Sequence, residues 1–300
     1  MCCLFGLIDP NSALSGREKS KLLHALATAA EVRGTDATGM AYNDRNGIVI
    51  RKNPIPGHKM YFRIGNDTAA IIGHTRMTTQ GSERFNRNNH PFYGRTKEGA
   101  FALAHNGVLY NDLSLRRTLS LPSTRIETDS YVAVQLIERK GTLDFASLQY
   151  MAEQLHGSFT FTVLSDRDDL YIVKGDNPLC LLHDPKLGIY LYASTPEILQ
   201  SALKRFHGSD HTLKQIKLEC GDILRISRDG SLSRGSFNAS GLLYEPYSIT
   251  AMSSKTNYLS QLKEMARTFG YLPDIVDRLT AHGFAPEEIE EFFYEGMCDD

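Results

Sequence analysis

The chain lacks any apolar run close to the roughly eighteen residues that a membrane-spanning helix needs, which excludes a place inside the bilayer. It shows no secretory leader either. The opening Met1-Cys2-Cys3-Leu4-Phe5-Gly6-Leu7-Ile8-Asp9 has no basic start and meets an acid early. There is no cationic surplus: a net charge of −2 and a pI near 6.6 argue against nucleic acid as a ligand. Cysteine is scarce. The five, at positions 2, 3, 180, 220 and 298, have no metal-finger spacing and fit a reduced, cytoplasmic chain better than a disulfide framework. Repeats of solenoid period, low-complexity tracts, a P-loop and a dinucleotide fingerprint are all missing, so neither a cofactor nor a metal is expected.

What is present is ordinary globular composition, 41% hydrophobic and 23% charged over 300 residues, enough for one principal domain and a smaller piece. Cys3–Ile8 reads as a buried strand closed by Asp9-Pro10-Asn11. Ser15 and Glu18 form a capping-box pair before a helix carrying Leu22, Leu23 and Leu26. Strands are expected near 37–43, 47–52, 69–75, 99–105, 158–165, 168–174, 179–183, 188–193 and 221–226. Helices are expected near 129–139, 144–155 and 196–206. Asp44-Arg45-Asn46-Gly47 and Arg228-Asp229-Gly230 are hairpin signals, so the pattern is α+β with antiparallel pairing. Near residue 240 the character changes. From 262 onward there are ten acids against three Lys or Arg, with helical stretches at about 257–269, 273–282 and 286–295.

The pair at the amino terminus is unusual. Methionine removal before a small second residue would leave Cys2 with a thiol of pKa about 8.5 and an α-amine of about 7.7–8.0 on one framework. Such an amine can take the thiol proton and return it to a leaving group. Arg76, at the exit of an apolar run, offers a planar fork for a carboxylate. Asn106 and the N–H of Gly107 form a donor pair for an oxyanion, and Asp129 can bind an ammonium. Each has a plainer reading: a surface ion pair, a turn dipeptide, a helix cap. Taken together they outline an α-amino acid with a reactive side-chain amide.

In this order the motifs resemble the class II, N-terminal-nucleophile glutamine amidotransferases. Cys2-Cys3-Leu4-Phe5-Gly6, Arg33–Gly39, Gly73-His74-Thr75-Arg76, Ala104-His105-Asn106-Gly107 and Glu127-Thr128-Asp129 carry the likeness. Leu155–Phe159 and Cys220–Ile223 extend it, so that it covers roughly 2–235. The resemblance implies a four-layer αββα sandwich over 2–240, with 241–300 as linker and small acidic helical tail. It implies glutamine as substrate and a γ-glutamyl thioester on Cys2, with Asn106 and Gly107 at the oxyanion. Arg76, Thr79, Asp129 and Gly107 would border the substrate, while Arg33, Asp36, His74 and His105 support. A separate ammonia-accepting synthase subunit is a possible partner. Hydrolysis of γ-glutamyl peptides or another amide, and a non-catalytic glutamine-binding subunit, are the alternatives. Three departures stand out. Cys3 replaces a frequent Gly and puts a second thiol beside the first. Met77 and Gln80 replace a frequent Trp and His. The 77–90 loop is lengthened and basic, with Arg84, Arg87, Asn86, Asn88 and Asn89, which reads as a solvated face.

Overall fold

Period-two alternation in the strands decides the layering. In β1 (Cys3–Ile8), Cys3, Phe5 and Leu7 enter one apolar cluster, whereas Leu4 and Ile8 enter another. The same division recurs in β4 (Ala70–Arg76), where Ile71 parts from Ala70 and Ile72. In β6 (Ala100–Leu109), Phe101 and Leu103 face away from Ala102 and Ala104. A strand with two apolar faces must be covered on both. The computed structural model, which describes residues 2–206, 213–242, 259, 262, 263, 266, 267, 271–284, 288, 289 and 292, shows how.

Two antiparallel sheets lie face to face over a shared cluster that includes Leu4, Ile72, Ala104, Leu164, Ile172 and Tyr192. The first contains β1, β4, β2 (Ala37–Asp44), β3 (Gly47–Asn53), β9 (Cys180–Asp184), β10 (Ile189–Ala193) and β11 (Lys214–Ile216), in the order β11-β9-β10-β1-β4-β2-β3. The second contains β5 (Phe92–Arg95), β6, β7 (Gly157–Ser165), β8 (Leu170–Lys174), β12 (Asp222–Ile226) and β13 (Leu232–Ser236), in the order β13-β12-β8-β7-β6-β5. The outer face of the first sheet packs on α1 (Gly16–Ala29) and on α5 (Pro196–Phe206). The outer face of the second packs on α3 (Tyr131–Lys140) and α4 (Phe145–Gln154), with Leu115 of the short α2 (Asp112–Thr118) in the same cluster. The fold is α+β, an αββα sandwich.

β1 runs antiparallel to both β4 and β10, with Cys3 opposite Thr75 and Phe5 opposite Ala193. Its far end is pinned by a fully buried ion pair, Lys19 Nζ to Asp9 Oδ2 at 3.1 Å. Lys19 also donates to the carbonyls of Asn66 and Thr68, and Asp9 accepts from the amides of Ala13 and Leu14. Every charge there is matched, the condition under which a buried pair can persist. Ser15 and Glu18 complete the capping box at the start of α1.

Residues 1–243 and 244–300 form two compact units. In the second, Leu262, Ala266, Val276 and Ile289 make a small core, and Lys263 Nζ meets Asp277 Oδ1 at 2.6 Å. Its helix α6 spans Asp274–Ala281, within the expected 273–282 stretch. The other two expected helices lie mostly outside the described residues, although 259, 262, 263, 266, 267, 288, 289 and 292 are helical. No helix among the described residues is long and apolar enough to cross a membrane.

Candidate active site

The site is built where β4 and β6 leave the sandwich. A cross-sheet bond ties the two strands together: His74 Nε2 donates to the carbonyl of His105 at 2.9 Å. A carbonyl only accepts, so the proton of His74 is on Nε2. Both rings are buried, and desolvation drives each down to about 3, leaving them neutral. His90 lies against His74 with ring centroids 4.3 Å apart, and burial drives it down as well.

The 33–36 segment clasps the exit of β4. Gly34 packs so closely on the Arg76–Met77 peptide that a Cβ there would collide with it. Asp36 donates its backbone N–H to the Arg76 carbonyl at 3.0 Å, and its Oδ2 accepts from Thr78 N–H at 2.7 Å. Arg33 Nε donates to the Cys2 carbonyl at 2.9 Å, which fixes the start of β1. Cys2 is partly exposed, its Sγ 3.5 Å from the Met77 carbonyl. Desolvation pushes its thiol up, opposed by the Met77 contact and by the Arg76 charge. Cys3 turns to the opposite face, into the cluster beneath α1, where burial raises its thiol to about 11. The second thiol is therefore adjacent in sequence and remote in environment. Both cysteines are free.

Arg76 is 3% exposed and has no carboxylate within ion-pair distance among the described residues. It is held by neutral acceptors. Nη1 donates to Asn89 Oδ1 at 2.8 Å, and Nη2 donates to the carbonyls of Gln80 at 2.5 Å and Gly81 at 2.7 Å. Desolvation lowers its pKa, and the charges of Cys2, Asp129, Asp36 and Glu83 oppose that. Cys2, Arg76 and Asp129 thus each lie within electrostatic range of the other two. A buried guanidinium with no carboxylate in contact among the described residues is set up to receive an external one.

Asn106 and Gly107 lie inside β6, which continues to Leu109 and does not end near 105 as their turn-like pairing suggests. Asn106 is 1% exposed, and neither Nδ2 nor Oδ1 has a hydrogen-bond partner among the described residues. Gly107 sits at φ +144°, where a Cβ would strike the Ser158 carbonyl of β7, so only glycine fits. Asp129 is buried, with Oδ2 accepting from Leu109 N–H at 2.6 Å and Oδ1 from the Ser130 hydroxyl at 3.1 Å. Burial raises its carboxyl, and these donors hold it back. Thr79 lies partly exposed in the 77–90 segment. No group of three or more His, Cys, Asp or Glu among the described residues is arranged for a metal.

The 77–90 loop is a solvated face only in part. Arg84, Asn86 and Arg87 are exposed, but Asn88 and Asn89 are fully buried. Asn88 Nδ2 donates to Glu127 Oε2 at 2.7 Å and its Oδ1 accepts from Glu127 N–H at 3.1 Å. Asn89 Nδ2 donates to the Glu83 carbonyl at 2.7 Å while its Oδ1 holds Arg76. Lys52 Nζ donates to the carbonyls of Asn89 and Pro91, and burial lowers it to about 8. Composition alone hid these residues; the one available signal was a pair of asparagines placed directly before His90-Pro91.

Comparison with known proteins bears on the family and the fold. Residues 74–201 match the family described as glutamine amidotransferase domain. Glutamine–fructose-6-phosphate aminotransferase (isomerizing) of Staphylococcus epidermidis is 32% identical over 188 residues, covering 60% of this chain and 30% of that protein. The Staphylococcus aureus protein of the same description is 33% identical over 193 residues with the same coverage. The chain thus spans under a third of the length of these curated relatives. Among solved structures, the allosteric regulatory enzyme of purine biosynthesis superposes with a TM-score of 0.63 at 20% identity, covering 79% of this chain and 49% of that one. Glutamine phosphoribosylpyrophosphate amidotransferase from B. subtilis gives 0.59 at 21% identity, with the same coverage. Sequence match and sandwich topology converge: residues 74–201 are similar to a glutamine amidotransferase domain, and the αββα sandwich is the fold these solved structures share with this chain.

Proposed function

We propose that residues 2–240 hydrolyse the side-chain amide of glutamine, with Cys2 as nucleophile. The observation that carries this reading is Asn106, a buried amide with no partner among the described residues, next to a position only glycine can fill. Leaving such a group unpaired costs about 1–3 kcal/mol, a cost that makes sense where a developing oxyanion is to be met. Because burial pushes the Cys2 thiol up, it needs a base at neutral pH, and its own α-amine, freed by loss of Met1, fills that role.

In this scheme the amine takes the thiol proton and Sγ bonds to the amide carbon. The carbonyl oxygen becomes an oxyanion held by Asn106 Nδ2 and the Gly107 N–H. Collapse breaks the carbon–nitrogen bond, and the ammonium returns its proton to the departing nitrogen, releasing ammonia. Water then cleaves the thioester, giving glutamate and the free thiol. Arg76 binds the substrate carboxylate, Asp129 its ammonium, and Thr79 borders the pocket. The ammonia passes to a separate synthase subunit, and the free thiols suit a reducing, cytoplasmic compartment.

Treatment with a diazoketone analogue of glutamine, followed by intact-mass and peptide analysis, tests the assignment. One adduct on Cys2 of a chain lacking Met1 is expected. An adduct on Cys3, or on a chain retaining Met1, defeats it.

A second test concerns the carboxylate anchor. Asn89→Asp keeps an oxygen acceptor beside Arg76 Nη1 but gives it a charge, and exchanges the Nδ2 donor to the Glu83 carbonyl for an oxygen. The internal carboxylate then competes with that of glutamine, and KM is expected to rise about tenfold or more, some 1.4 kcal/mol. Turnover of a small activated ester without a carboxylate should stay unchanged. Equal losses on both substrates would show that Arg76 does not bind the carboxylate.

A further inference from the structure

We propose that Ser130 is a positioning residue: its hydroxyl orients the Asp129 carboxylate for the substrate ammonium and links it, through His105, to the oxyanion strand. The inference rests on the reading of Asp129 given above.

Ser130 is the residue before α3, the place where a serine usually caps a helix, yet its side chain makes no capping bond. Its hydroxyl faces elsewhere. The oxygen is 3.1 Å from Asp129 Oδ1, to which it donates, and 2.8 Å from His105 Nδ1. A hydroxyl has one proton, so once that proton is given to Asp129 the Nδ1–H of His105 must be the donor to Ser130. In this arrangement His105 carries its proton on Nδ1, and Nε2, buried without a hydrogen-bond partner among the described residues, is left as an acceptor. All three side chains are almost wholly buried.

The result is an ordered chain of donors, His105 Nδ1–H to Ser130 Oγ–H to Asp129 Oδ1, with Leu109 N–H closing on Oδ2. His105 is held at both ends, its ring by Ser130 and its carbonyl by His74. It also stacks on Phe161, with centroids 4.5 Å apart. Asn106 is the next residue. The group that receives the ammonium and the strand that receives the oxyanion are therefore joined by one buried hydroxyl. Without it, Asp129 loses a donor and His105 an acceptor, both away from solvent.

Ser130→Ala and Ser130→Thr, assayed on the full chain with glutamine and with 5-amino-5-oxopentanoate, which lacks the α-amine, test this. The alanine variant should raise KM for glutamine about tenfold with kcat changed less than threefold. The threonine variant, which keeps the hydroxyl, should restore wild-type KM. On the desamino amide, wild type and both variants should agree. An unchanged KM for glutamine in Ser130→Ala overturns the proposal, as does an equal loss on both substrates or a failure of threonine to rescue. If the wild type releases no ammonia from glutamine, the assignment of the site itself falls, and this inference falls with it; an active wild type with an unaffected Ser130→Ala removes the inference alone.

Discussion

Asn106→Leu is expected to stabilise the fold while nearly silencing the site. Leucine has the branching of asparagine without two polar atoms that the described residues leave unpaired, and its methyls, bulkier than the amide oxygen and nitrogen, are accommodated only by a small shift of the neighbours of β6. Removing that desolvation cost is worth about 1–3 kcal/mol, or several degrees in Tm for a domain of this size. Loss of one oxyanion donor lowers kcat by about 10²–10³-fold, and KM should move little because the ground-state carbonyl gains less from the donor than the oxyanion does. Thermal melts and steady-state kinetics on one preparation read both effects. A fall in Tm together with an unchanged kcat would mean that Asn106 is a structural residue whose partner is internal.

The second large effect concerns acid. His74 and His105 are buried and neutral, each driven to about 3 by desolvation against an ordinary value near 6.5. Below pH 6.5 the unfolded chain therefore takes up protons that the fold refuses, and stability falls as pH falls towards 3. Each histidine contributes a slope approaching 1.4 kcal/mol per pH unit, so the pair gives roughly 2.7. His90, also driven down by burial, adds in the same direction. Asp112, Asp129, Glu138 and Asp168 work the other way, because their raised carboxyls bind a proton more readily in the fold than outside it. Their ordinary values are about 4, so the first fall below pH 6.5 is set by the histidines. A domain of ordinary stability should lose its structure near pH 4–5. Urea midpoints at pH 7.5, 6.5 and 5.5 should differ little over the first interval and drop steeply over the second. A profile that stays flat to pH 5 would show that these rings accept protons within the folded state.

Much of the architecture could be read from the chain because the strands follow simple rules. The alternation in Cys3–Ile8 and the apolar run before Arg76 mark strands covered on both faces, and the Ser15–Glu18 pair marks where α1 begins. The elements that escaped are β5, β11, β13 and α2. They are short, and β13 lies at a sheet edge with four of its five residues exposed, so no apolar period announces it. The candidate site divides in the same way. Cys2, Arg76 and Asp129 stand out because each brings a distinctive chemical group to the end of an element, and Asn106 because it follows an apolar run within β6. Asn89, Lys52 and Ser130 do not, since their roles arise from carbonyls and ring nitrogens that only the folded chain brings within reach. Asn106-Gly107 misleads as a pair. Its local preference is for a turn, and pairing with Thr160 and Phe159 of β7 overrides it.

β1 occupies the middle of its sheet, with β4 on one side and β10 on the other. The first strand to leave the ribosome therefore cannot be flanked on both edges until Ala193 has been made. At ordinary translation speeds that is a wait of roughly 10–40 s. Throughout it Leu4-Phe5-Gly6-Leu7-Ile8 is an uncharged, greasy ribbon that nascent-chain chaperones would be expected to shield.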